Sequence, residues 1–493
     1  MGPGIVRTSA PTRAPHRRFR PGPAPAGATE RSSPRRWFAA LHPGEPETCR
    51  RLWQPFLVNY VHLGLLLAVF HLYQVERRPF QGHALESLAA LAMLVLPAHY
   101  LAPLRWKKPI FLAASAAGLL MVAGPAASVG VLAIAAVFLM TCFLPIPWIA
   151  RASACAAMAA AIVWARPSLV EAGLPDEVIP IAASMLMFRM ILFLYELKHA
   201  RAPESPIDAL SYFFLLPNYC FPHFPVVDYR TMQRGYFADD VHITQRRGLA
   251  MIIRGTVHVL AYRVVYHQML IPASAVSGIE DLVVFIVCKY LTYLEISGQF
   301  HIACGMLHLF GYRLPETHHR YLLASSFTDY WRRINIYWKD FMVRVVFNPV
   351  IFRLKRWPTP AALAAATAVT FLATWLLHGY QMYWLRGEWG FGATDALFWG
   401  TLGVLVAINV QFDARRSVAR KVAQDRTHPA LGFAIHGAKV AATFTTIAVL
   451  WSLWYSTSVG AWLDMMGRGL GGSWSFPRLG MLVEMFRRGI HGV

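Results

Sequence analysis

Apolar runs separated by short polar breaks occupy most of the chain, at 55–73, 86–104, 109–124, 127–149, 152–166, 178–196, 248–270, 280–297, 360–384, 393–411 and 433–456. Several reach the roughly 20 residues that a helix needs to cross about 30 Å of hydrocarbon, and the shorter ones can tilt little or be re-entrant. This pattern predicts an all-α polytopic membrane protein with about 10–12 transmembrane helices. Two stretches break the rhythm. Residues 201–247, with "PNYCFPHFPVVDYRTMQRGYFADD", are too polar to span and too aromatic for a loose loop, so an interfacial or re-entrant path is expected. Residues 312–357 are basic and aromatic, and predict short amphipathic helices. No internal repeat is visible, so the inverted-repeat logic of many secondary transporters finds no support.

Composition agrees. Of 493 residues, 56% are hydrophobic and only 15% charged, against about a quarter charged in a soluble domain. The net charge of +21 changes the picture through its placement. Ten arginines fall within the first 51 residues, among Pro, Gly and Ala, which reads as a disordered basic tail. No apolar core of a signal peptide falls within the first 30 residues. Further basic clusters lie at 105–108, 312–356 and 413–426. Basic loops stay cytoplasmic, so the N-terminus and these loops are expected inside, and nucleic acid is not an expected partner. The six cysteines have no zinc-ligand or CxxC spacing, and no metal is expected. Walker and GxSxG motifs are absent, which argues against nucleotide-driven pumping and the common serine hydrolases.

The candidate chemistry sits in two places. In "SSFTDYWRRINIYWKDFMVRVVFNP" (325–349), Ser326 and Asp329 form a capping-box signature that predicts a helix start. A continuous helix from there would put Trp331, Asn335, Trp338 and Met342 on one face and Arg333, Tyr337, Asp340 and Arg344 on another. The second face has a structural explanation in the i,i+4 pairs Asp329–Arg333 and Asp340–Arg344. On the first face, an amide between two tryptophans needs a cavity or a polar partner, whether structural or functional. The second place is "FLATWLLHGYQMYWLRGEW". Between Thr359 and Arg386 there is no Asp, Glu, Lys or Arg, and His378 is the only histidine. It would stand about 28 Å up a helix starting at Thr359. An intramembrane histidine must face a cavity or a partner, as a functional group or as a satisfied one in the bundle.

These residues resemble the membrane-bound O-acyltransferases, in particular the bacterial branch that includes alginate O-acetyltransferase and the teichoic-acid D-alanyl transferase. "FPHFPVVDYRTM" (221–232) is similar to the family's FP…GPI…R stretch, with Val226-Val227-Asp228 in place of Gly-Pro-Ile. "YLEISG" (293–298) resembles its aromatic–acidic–Ser-Gly element, "GYRLPETHHRYLLASSFTDYWRR" (311–333) its GFRLPEN…SF-DFWRRW run, and "WLLHGYQMYWL" (375–385) its Trp-His-Gly helix. The resemblance covers about 205–410. The bacterial branch usually has histidine where this chain has Asn335 and tryptophan where it has Ile334. Several eukaryotic members have Asn paired with the later His.

The resemblance implies a core with re-entrant or interfacial helices over 201–456. Transmembrane helices over 51–200 would precede it, with the basic tail at 1–50 and an amphipathic C-terminal tail at 457–493. It implies His378 as general base and Asn335 as the group that orients the acceptor or stabilises the oxyanion. Trp331, Arg332, Trp338 and Tyr380 are then expected to bind substrate. The donor would be an acyl-CoA or acyl-carrier thioester, with no bound cofactor. An acetyl or other short acyl group would pass to a hydroxyl of a cell-surface glycan. A periplasmic or membrane-anchored acyltransferase is the implied partner, and the bacterial inner membrane the implied location. Two alternatives stay open: a lipid O-acyltransferase, and a transporter or flippase with His378 as proton relay.

Overall fold

The structure is a computed structural model that describes residues 46–75, 84–199, 205–220, 227–420 and 429–475. The basic tail up to residue 45, the Phe-Pro stretch 221–226, the end of the charged run 413–426 (421–426) and the end of the C-terminal tail (476–493) lie outside the described residues. Two units are distinguishable, Met1–Gln54 and Pro55–Val493, and the second carries the candidate site and every helix but the start of the first.

Among the described residues all regular elements are helical. In order they are α1 (Pro46–Leu72), α2 (Ala84–Leu101), α3 (Leu104–Phe143), α4 (Trp148–Glu171), α5 (Val178–His199), α6 (Pro206–Phe213), α7 (Tyr229–Gly235), α8 (Val241–Val264), α9 (Ile279–Leu291), α10 (Leu294–Leu309), α11 (Phe327–Arg333), α12 (Ile336–Met342), α13 (Asn348–Arg353), α14 (Thr359–Arg386), α15 (Ala393–Arg420), α16 (Pro429–Trp454) and α17 (Val459–Gly471). Nine of these are long and apolar enough to cross a membrane: α1 to α5, α8 and α14 to α16. The protein is an all-α polytopic membrane protein.

Three of the predicted spans differ from the helices observed. The runs 109–124 and 127–149 are joined in α3, which is interrupted at Gly124 (φ 75°, ψ 171°), a conformation open to glycine but not to side-chain-bearing residues. The run 280–297 is not one span. It is divided between α9 and α10, 13 and 16 residues long, both short of a full crossing. Every residue of α10 from Ser297 to Leu309 is buried. Glycines let it lie directly on α8: a Cβ on Gly255 would sit 2.5 Å from the carbonyl oxygen of Gly298, and one on Gly305 2.6 Å from that of Gly248. Small residues at such a crossing allow the backbones to approach.

The polar stretch after α5 folds into the protein rather than along its surface. Ser211 to Phe213 and Leu215 to Cys220 are buried. Buried irregular backbone needs partners, and Arg189 of α5, fully buried, supplies them. Its guanidinium donates to the carbonyls of Tyr212 (3.1 Å) and Phe213 (3.2 Å) and to Asn218 Oδ1 (2.5 Å).

Candidate active site

The site begins at a break in the basic, aromatic segment. Ser326 caps α11 as its spacing predicts, accepting from the Asp329 amide at 3.1 Å. The helix then stops. Ile334 is extended (φ −82°, ψ 136°) and Asn335 is left-handed (φ 36°, ψ 68°), after which α12 starts. The continuous helix expected over this stretch is therefore two short helices joined at Asn335. Asn335 Oδ1 accepts from the Trp338 amide at 3.2 Å. A backbone amide only donates, so this bond assigns the oxygen to the cap and leaves the side-chain NH2 facing elsewhere.

The break and the π turn at Val343–Phe347 shift the later side chains out of the predicted faces. Asp329–Arg333 forms at 2.7 Å, but Asp340 pairs with Lys339 at 2.5 Å. Arg344 instead reaches Glu196 of α5 (3.0 Å) and Asp228 (3.2 Å). Burial alone would raise the Asp228 carboxyl. The Thr231 hydroxyl and amide, together with Arg344, outweigh it and hold the group below its ordinary value.

A cavity of about 590 Å³ lies against this break. His378 of α14 and Asn335 both line it, with Trp331 and Trp338. The imidazole stands among three indoles, with ring centres 5.1 Å from Trp399, 5.5 Å from Trp454 and 6.4 Å from Trp338. It makes no hydrogen bond to a described residue. Trp454 is itself fixed, its Nε1 donating to Asp395 Oδ1 at 2.6 Å. Beside His378, Gly379 leaves room for Phe391: a Cβ there would lie 2.1 Å from that ring. Glu295, Gln299, Gln381, Arg386 and Asp395 add a polar lining. Gln299 donates to Glu295 at 3.3 Å, while its Oε1 has no hydrogen-bond partner among the described residues. The cavity extends to the end of the bundle where α14 ends, α15 begins and α16 ends, at Arg386, Gly390, Asp395 and Ser456.

Four of the six residues singled out from the sequence thus meet at one cavity: His378, Asn335, Trp331 and Trp338. Two do not. Arg332 is exposed and is not among the lining residues. Tyr380 points to the opposite side of α14, packed against Trp384 and the Ile179–Ala183 cluster, because two residues along a helix turn the side chain about 200° from His378. Sequence reasoning missed Trp399, Trp454, Asp395 and Gln299. Tryptophans in apolar helices carry the signal of a membrane-interface belt, and nothing in their spacing shows that three helices bring them to one histidine. It also missed Glu196, an acid at the end of a predicted span whose partner Arg344 lies 148 residues away.

No model of a known protein family matches the chain, and comparison with curated proteins gave no match either. The reading of the site therefore rests on its own chemistry: an imidazole with no hydrogen-bond partner among the described residues, an amide oriented by its cap, and a cavity walled by indoles with a polar lining toward its mouth.

Proposed function

We propose that the protein is a membrane-bound O-acyltransferase in which His378 is the general base. The observation that carries this reading is the placement of the unpartnered imidazole and the oriented amide of Asn335 on the walls of one cavity. A hydroxyl oxygen attacks the carbonyl carbon of a thioester while an imidazole nitrogen takes its proton. The Asn335 NH2 donates to the oxyanion that forms, a contribution worth about 10²–10³ in rate at comparable sites. The carbon–sulfur bond then breaks, and the imidazolium returns the proton to the departing thiolate. No cysteine lines the cavity, and neither Ser456 nor any other residue there is hydrogen-bonded to His378, which favours direct transfer over an acyl-enzyme.

The donor in this reading is an acyl-CoA or acyl-carrier thioester, and no resident cofactor is needed. A second cavity of about 280 Å³ borders α12, lined by Tyr337, Phe341, Arg344 and Asn348 together with the acids Asp228 and Asp340. The amides and carboxylates at the mouth of the main cavity suit a polyhydroxyl acceptor such as a cell-surface glycan better than a lipid. The bacterial inner membrane, with the N-terminus in the cytoplasm, is the location this implies, with a periplasmic or membrane-anchored acyltransferase as partner.

The deciding experiment supplies membranes holding the protein with labelled acetyl-CoA and a cell-wall or capsular glycan fraction. Label passing to the glycan with wild type, and not with His378→Ala, supports the proposal. Equal transfer by both removes it. Proton flux across vesicles that depends on His378, without transfer, favours the transporter.

A further inference from the structure

Asn335 occupies the left-handed region (φ 36°, ψ 68°), uncommon for residues other than glycine although asparagine enters it more readily than most. Bonds from outside its own two helices reinforce it there. One short segment supplies them. The His319 amide donates to the carbonyl of Arg333 at 3.0 Å, and the Ile336 amide donates to the carbonyl of Thr317 at 2.8 Å. These two bonds bracket Ile334 and Asn335 from one side, and the Tyr337 hydroxyl adds a third, to the Pro315 carbonyl at 2.7 Å.

The segment that does the holding is itself in no helix, so its own position depends on side chains. Thr317 and His318 are buried, at 0% and 2% exposure, which few loop residues of their polarity reach. The Thr317 hydroxyl lies 3.3 Å from His301 Nδ1 of α10 and 3.1 Å from His318 Nδ1. On its other side, His318 Nε2 lies 3.0 Å from the Tyr293 hydroxyl, between α9 and α10. Tyr293 also lines the main cavity. A neutral imidazole has one donor and one acceptor, and here both nitrogens are engaged. His301 is backed in turn by His258 of α8, edge-on at 5.5 Å, whose Nδ1 meets the Ser297 hydroxyl at 2.9 Å. None of these imidazoles is within the cavity, and the acyl-transfer chemistry uses none of them.

We propose that Thr317 and His318 are positioning residues for Asn335: their side chains anchor the 317–319 segment to α9 and α10, and the backbone bonds of that segment hold Asn335 in its left-handed, cavity-facing conformation. The anchor explains why a histidine pair and a threonine are buried together in an apolar bundle. It also explains how Asn335, at a helix break, keeps a fixed aim toward His378's cavity. The inference rests on the proposed acyl transfer only for its kinetic arm.

The test is a double-mutant cycle between Thr317→Val and Asn335→Gly. Valine keeps the shape of threonine and removes the hydroxyl. Glycine adopts the left-handed conformation freely and removes the amide. Thr317→Val is expected to lower kcat about 10–100-fold with little change in donor KM, because it misplaces the amide rather than deleting a binding contact. In the Asn335→Gly background it should lower kcat no further, and Thr317→Ser should restore most of the rate. Losses that multiply across the two sites would overturn the proposal. A structure of Thr317→Val by electron cryo-microscopy is the arm that needs no activity. Loss of the Asn335–Trp338 cap supports the inference, and Asn335 unmoved at its present φ overturns it. Wild-type protein that transfers no acyl group would remove the acyltransferase reading while leaving this structural arm to decide the positioning role.

Discussion

The indole nitrogen of Trp454 donates to the carboxylate of Asp395 across 2.6 Å, and the same indole stands edge-on to the imidazole of His378 at 77°. One bond between α15 and α16 therefore fixes a wall of the ring that the proposed reaction depends on. Asp395 also accepts from the Gly392 amide at 3.1 Å, which ties the loop at the cavity mouth to the same carboxylate.

Removing that carboxylate should loosen the wall. Asp395→Ala is expected to lower acyl transfer about 10–100-fold, since small misplacements at a reacting centre are amplified in rate. Asp395→Asn, which keeps an acceptor oxygen for the indole, should keep most of the activity. Rates measured for both variants in membranes, beside wild type, check this.

His378→Ala should reduce transfer by at least the roughly 10²–10⁴ that a positioned base contributes. The protein should still insert and remain monodisperse in detergent, because the imidazole forms no hydrogen bond that the bundle would lose. Labelled-acyl assays paired with size-exclusion profiles separate the two effects.

At Asn335, stability and activity should part company. Asn335→Ala loses a cap worth about 1 kcal/mol and the local side-chain hydrogen bond that lets an asparagine occupy the left-handed region better than an alanine. Asn335→Gly loses only a few tenths at the cap and relieves the strain. Both lack the amide donor, so both should lose about 10²–10³ in rate. Asn335→His, whose ring nitrogen can cap and whose residue type tolerates the left-handed region, should retain partial activity. Thermal midpoints and rates measured together give the comparison.

Acid should loosen the anchor of the 317–319 segment. Burial, with His301 and His258 nearby, holds His318 well below the ordinary histidine value. Above about pH 6.5, His318 is neutral in both the folded and unfolded chain and adds no pH dependence. As the pH falls below that value, the unfolded chain binds a proton that the folded one refuses, so stability declines with decreasing pH. The thermal midpoint should drop between pH 7 and pH 5, and less steeply in His318→Gln. Equal slopes in the two proteins would show that other groups control the response.

Sidedness follows from the basic clusters. A cysteine at Lys355 should be labelled only from the cytoplasmic side and one at Glu388 only from the outside. These two positions flank α14, whose 28 residues rise about 42 Å. The reverse pattern would invert the orientation and, with it, the direction from which the thioester arrives.

Much of this was legible before the structure. The apolar runs gave helices because a chain in hydrocarbon must satisfy its backbone internally. Ser326 began a helix because its hydroxyl can cap an amide three residues on, which is a local matter. His378 and Asn335 stood out because each is a polar group in apolar surroundings, and both reached the same cavity. The single helix over 326–342 was not legible as two. The amphipathic period runs through Asn335 unbroken, and the bonds that halt the helix come from residues 317 and 319, in another part of the chain.

By itself, then, the sequence determined what local chemistry decides: the helices, their membrane character, the cap at Ser326 and the two polar residues that apolar surroundings cannot leave unattended. The tertiary structure alone decided what depends on distant partners. It set the left-handed turn at Asn335, chose Glu196 and Asp228 for Arg344 over its helical neighbour Asp340, and gathered Trp338, Trp399 and Trp454 around His378. The physical reason is the same in each case. A periodicity says which residues share a face, but the neighbour that face meets, and the hydrogen bonds it finds there, are fixed only when helices far apart in the chain pack together.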